Sequence, residues 1–129
     1  MMNKSKEKQY EDIVEQSIGV FSELETIVLS IKNNFIEEQR QDPRLTIEMV
    51  DKSLELLSSY LARFRGYQDR SKSEWSLEKD IDYVSQTIQS FFRKFDNPFL
   101  GSERWYQRIV QLQDQLSEQA RELDSLIEE

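Results

Sequence analysis

Apolar side chains recur along this chain at alternating three- and four-residue steps, the spacing of one helix face. Nowhere do they follow the period of two that a half-buried strand needs. The first run reads Tyr10, Val14, Ser17, Phe21, Leu24, Val28, Ile31 and Phe35. Ile13, Val20 and Ile27 flank it on one side and Ile18 on the other, so a helix over about 7–39 carries an unusually wide apolar face. Such a face must touch more than one neighbour. Residues 1–6 are expected to fray.

Asp42-Pro43 breaks the first helix, because proline disfavours helix at the residue before it and suits the first turn of the next. The second run, Ile47, Val50, Leu54, Leu57, Leu61 and Phe64, predicts a helix over about 44–69, capped by Asp42 or Thr46. Gly66 or the Ser71–Ser73 stretch ends it. The third run, Leu77, Ile81, Val84, Ile88, Phe91 and Phe95, predicts a helix over about 74–95. Ser71 with Glu74 has capping-box spacing, Ser73 and Ser76 are rival caps, and Asp96-Asn97-Pro98 stops the helix. After Gly101, with Ser102 as cap, the fourth run reads Trp105, Ile109, Leu112, Leu116, Gln119, Leu123 and Leu126, a helix over about 102–127. Four such stripes with short connections predict an all-α fold, a four-helix antiparallel up-down bundle with heptad-like seams forming one domain over 1–129. The alternative is a pair of helical hairpins that complete a bundle by dimerisation.

Composition narrows the chemistry. The chain has 129 residues, no Cys and no His. That excludes a disulfide framework, a cysteine nucleophile, a Ser-His-Asp triad and imidazole or thiolate metal ligands. Its 17 basic and 25 acidic residues leave a net charge of −8, unfavourable for nucleic acid, where lysine and arginine supply most of the affinity. No apolar run approaches the ~20 residues that cross a bilayer, and no secretory signal is visible, so a cytoplasmic protein without membrane contact is expected.

No Asp or Glu occupies a stripe position, which argues against a ferritin-like di-metal core. Glu48-x-x-Asp51 has half the spacing that helical Mg²⁺ phosphohydrolases use, but Glu11 and Glu15 are one residue too far apart to complete it. Asp80-x-Asp82 lacks the glycine and terminal glutamate of an EF-hand loop, and Gly19, Gly66 and Gly101 are too isolated to cradle phosphate. No catalytic residue, metal or cofactor is expected.

Two polar residues interrupt the seams. Ser17 and Gln119 either face each other and fix register, or Ser17 bonds its own helix while Gln119 lies at a wet, frayed end. Several apolar groups are left over. Leu29 and Ile36 are seven apart on the back of the first helix, Met49 and Leu56 seven apart on the back of the second, and Trp75 and Tyr83 lie off the main seam. Either these dock another helix or a neighbour within the chain covers them. The aromatics Phe91, Phe92, Phe95, Phe99, Trp105 and Tyr106 around the last turn are expected mostly to plug the end of the bundle.

Charge adds two contact candidates. Arg63, Arg65, Arg70 and Lys72 cluster near the second connection. Glu118, Glu122, Asp124, Glu128 and Glu129 crowd the last helix against Arg121, where they oppose the dipole and favour fraying unless a basic partner neutralises them. The expected function is a non-catalytic interaction or assembly module that meets another protein, or a second copy as a homo-oligomer, through an outer apolar stripe and an acidic surface. The alternatives are a small acidic inhibitor, immunity protein or antitoxin covering a basic site, and behind it a carboxylate-Mg²⁺ nucleotide phosphohydrolase.

Overall fold

Neither proline nor glycine precedes Gly19, and helix α1 runs unbroken from Asn3 to Glu38. It starts four residues ahead of the expected point, with Lys8 spaced to support Asp12 along the helix surface. It is followed by α2 (Ile47–Asp69), α3 (Leu77–Lys94) and α4 (Glu103–Glu128), with no strand among the described residues. The computed structural model describes residues 3–38, 47–69, 77–95 and 103–128, with side chains over 6–33, 47–68, 78–95 and 105–127. The expected caps and breakers at Asp42, Pro43, Thr46, Ser71, Ser73, Ser76, Pro98, Gly101 and Ser102 lie outside the described residues. α2 passes through Gly66 and continues to Asp69. α3 closes with the Phe95 N–H donating to the Phe91 carbonyl at 2.8 Å.

Neighbouring helices are antiparallel, because rising numbers on one meet falling numbers on the next. Lys32 meets Asp51 and Phe21 meets Phe64 across α1 and α2. Ser17 meets Gln119 and Glu23 meets Arg108 across α1 and α4. Tyr60 meets Ser90 and Tyr67 meets Thr87 across α2 and α3. The chain therefore runs up, down, up, down within a single copy, and α1 and α3 lie on a parallel diagonal.

Every described residue of the α1 stripe is buried, and so are its flanking Ile13, Val20 and Ile27, with Ile18 half-buried. That width lets α1 pack against α2 on one side and α4 on the other while Phe21 reaches Phe91 across the diagonal, edge-on at 5.0 Å. Phe64, Tyr60, Phe91 and Phe95 complete an aromatic layer around Phe21. Tyr60 is buried there although it lies off the expected seam. Of the neighbouring pairs, α2 and α3 approach closely over the shortest length. Aromatic side chains fill that seam and hold its axes apart. Its two tyrosine hydroxyls still find partners. Tyr60 bonds Ser90 at 2.8 Å, and Tyr67 donates to Thr87, whose own proton goes to the Tyr83 carbonyl at 2.7 Å.

Phe91, fully buried, thus packs against the middle of α1. Phe21 stands near the middle of α1, whereas Phe91 is one turn from the end of α3. At ~1.5 Å per residue, α1 runs on for about 25 Å beyond this layer and α3 for about 5 Å. The α1–α2 hairpin therefore projects past the end of α3.

Ser17 and Gln119 are both buried, and the Ser17 hydroxyl donates to Gln119 Oε1 at 2.6 Å. The facing arrangement is the one adopted: Ser17 does not bond its own helix, as Thr26 and Ser30 do, and Gln119 is not at a frayed end. α4 stays helical through Glu128 despite its terminal acids. Unfavourable dipole terms cost about 0.3–1 kcal/mol each, whereas fully burying a leucine contributes about 1.5–3 kcal/mol. Leu123 and Leu126 are both buried there, and Asp124 accepts from Ser85 at 2.8 Å.

Ser17→Ala should destabilise the bundle by about 1–3 kcal/mol, since it strands the Gln119 amide oxygen in an apolar seam. Gln119→Leu should cost less, because the Ser17 hydroxyl can turn to the carbonyl four residues before it. Urea unfolding of both variants checks the order. At Gly19 an added Cβ would meet nothing within 4 Å, so Gly19→Ala should raise stability by about 0.5–1 kcal/mol in the same experiment.

Candidate protein-interaction surface

The outer side of the α1–α2 pair carries the most exposed aliphatic residue among the described ones. Leu29 is 48% exposed, although the residues on either side of it in the helix, Val28 and Ser30, are buried and half-buried. It lies with half-buried Leu54 in a shallow groove whose other lining residues are Glu25, Glu55, Ser58 and Ser59. One turn above Leu29, the Lys32 ammonium donates to Asp51 Oδ1 at 2.6 Å and ties the two helices together. The serines leave room beside the leucines.

Met49, Leu56 and Tyr83 do not extend this stripe. Met49 is 37% exposed, yet five residues separate it from Leu54, which places the two about 140° apart around α2. They therefore sit on opposite flanks of the buried line through Val50, Leu57 and Leu61. Leu56, on the Met49 flank, packs against the core. Tyr83 is 55% exposed, on α3, with its ring 6.4 Å from Tyr67. Ile36 lies on α1 but outside the described side chains, and Trp75, Arg70 and Lys72 lie outside the described residues. Leu54, assigned above to the inner seam, does pack against the core but stays half-buried at its edge. Its position at the edge of the α2 stripe was the available signal.

Two residues of the expected basic patch, Arg63 and Arg65, are described, and both are exposed. The Arg63 guanidinium lies over the Tyr60 ring at 5.2 Å, a cation–π contact that also shields the aromatic layer. On the other side of α1, exposed Glu118 and Glu122 line a second groove with Gln16, Gly19, Val20, Glu23, Leu112, Gln115 and Gln119. It adjoins another groove containing Asp12 and Gln9. No basic side chain lines either. At the upper end, Arg108 holds Glu23 in a two-pronged contact, with Nη2 donating to Oε1 at 2.8 Å and Nε donating to Oε2. The Arg108 hydrogen bonds hold the Glu23 carboxyl below its ordinary value of 4.5.

Among the motif residues, Asp51 is engaged by Lys32, and Glu48 is exposed. Among the described residues no three Asp or Glu side chains converge to hold a metal ion, and no helix is long and apolar enough to cross a membrane. No family model, curated protein or solved structure matches this chain.

Glu23 should titrate below the usual glutamate range and return to it in Arg108→Gln, as followed by carboxyl NMR. Because the folded value is the lower one, the pair's contribution is present above pH 4.5 and is lost as pH falls through the folded value. Both side chains are more than a third exposed, so the accompanying stability change should be small and should shrink further with salt.

Proposed function

We propose that this protein is a non-catalytic interaction or assembly module that meets another protein through the outer α1–α2 face. The observation that carries this reading is Leu29, held half-exposed beside Leu54 in a groove on an otherwise polar surface. Folding gains little from an exposed leucine there, whereas a partner that covers it gains its remaining apolar area. The inward seams support the same view, since their polar side chains are a serine, a threonine or a glutamine engaged with other protein groups and not a converging reactive set.

The acid-lined α1–α4 groove favours a second reading, a small acidic inhibitor that covers a basic site. The two separate cleanly. Binding through Leu29 should persist in part at high salt and depend on Leu29, whereas binding through Glu118 and Glu122 alone should weaken steeply as salt rises and not depend on Leu29.

Leu29→Glu should keep helicity and shift folding stability by no more than about 0.5 kcal/mol, as surface changes do. It should remove the partners that the wild-type protein retains from native lysate. An unchanged partner set with Leu29→Glu, lost instead with Glu118→Gln/Glu122→Gln, would establish the inhibitor reading in its place.

A further inference from the structure

We propose that the α1–α2 groove takes a single amphipathic helix of the partner, with an apolar stripe seated on Leu29 and Leu54 and lysine or arginine side chains flanking it; this rests on the interaction reading above. Two antiparallel helices leave a furrow along their length into which a third helix packs by its ridges. Here Ser58 and Ser59 line the furrow with short side chains, so nothing bulky blocks a backbone that approaches Leu54.

Charge selects the occupant. The carboxylates of Glu25 and Glu55 line the groove, and among the described residues no basic side chain does. Lys32, the cation one turn above, is already paired with Asp51. A second copy of this chain would bring the same carboxylates to a two-fold contact, on top of a net charge of −8 per copy. A partner helix with basic flanks meets the leucines with its stripe and the carboxylates with its cations, the helix-in-groove mode of recognition. With only two aliphatic anchors the contact should be modest in affinity and fast to exchange.

The test uses two synthetic helical peptides with an identical leucine stripe, one flanked by lysine and arginine and the other by glutamate, titrated against the full chain by fluorescence anisotropy. The basic peptide should bind at least about tenfold more tightly. Leu29→Gln, which removes the anchor without adding charge, should weaken it by about tenfold. Glu25→Gln/Glu55→Gln should weaken it severalfold, and Glu118→Gln/Glu122→Gln should leave it unchanged. Circular dichroism confirms that each variant is folded. Equal or tighter Leu29-dependent binding of the acidic peptide would overturn the basic-helix assignment and leave the interaction reading standing. Basic-peptide binding that follows Glu118 and Glu122 would also overturn the assignment, and so would a dimer in sedimentation that Leu29→Gln dissolves. If neither peptide binds and Leu29→Glu retains every native partner, both the assignment and the reading beneath it fail.

Discussion

The bundle is organised by the width of the apolar face on α1. A narrow stripe could be satisfied by one partner helix, as in a two-stranded coiled coil. With Val20 and Ile27 buried on one side of the stripe and Ile18 half-buried on the other, α1 has to be flanked by both α2 and α4. Phe21, fully buried between them, then reaches the opposite corner and fixes where α3 must lie. The aromatic layer around it joins α1 to α2 and α3 and sets the last turn of α3 beside the middle of α1.

Apolar packing alone would permit neighbouring registers, since leucine and isoleucine seams slide with little discrimination. Each neighbouring pair of helices here carries at least one polar tie: Lys32–Asp51, Tyr60–Ser90 with Tyr67–Thr87, Ser85–Asp124, and Ser17–Gln119 with Arg108–Glu23. Slipping a seam would break its tie and leave buried hydroxyls or an amide without partners, at about 1–3 kcal/mol for each group. The exposed ion pairs contribute less energy than the buried hydroxyl bonds, and their role in register is correspondingly minor. No buried side-chain polar atom among the described residues lacks a partner.

The same width gives α1 two outer grooves of different character. Toward α2 the furrow holds two leucines between carboxylates, and toward α4 it holds glutamines and carboxylates with Gly19 in its lining. The first suits an apolar stripe and the second a cationic surface.

The helix count and the buried face of each helix were readable from periodicity, down to the polar interruptions at Ser17 and Gln119. Periodicity is local: it states which residues of one helix share a side, and burial followed it closely in α1, α3 and α4. It could not state that the two interruptions meet, since that depends on α1 and α4 being adjacent and correctly staggered. Tyr60 and Leu54 show the limit within a single helix. They lie on the two edges of the α2 stripe, and the rotation of α2 about its axis buried the first and left the second half-exposed. The same rotation divided Met49 from Leu54, and the offset of α1 against α3 set Phe91, in the last turn of α3, beside the middle of α1. Rotation and offset are set by the summed packing of all four helices, so only the assembled tertiary structure decided them.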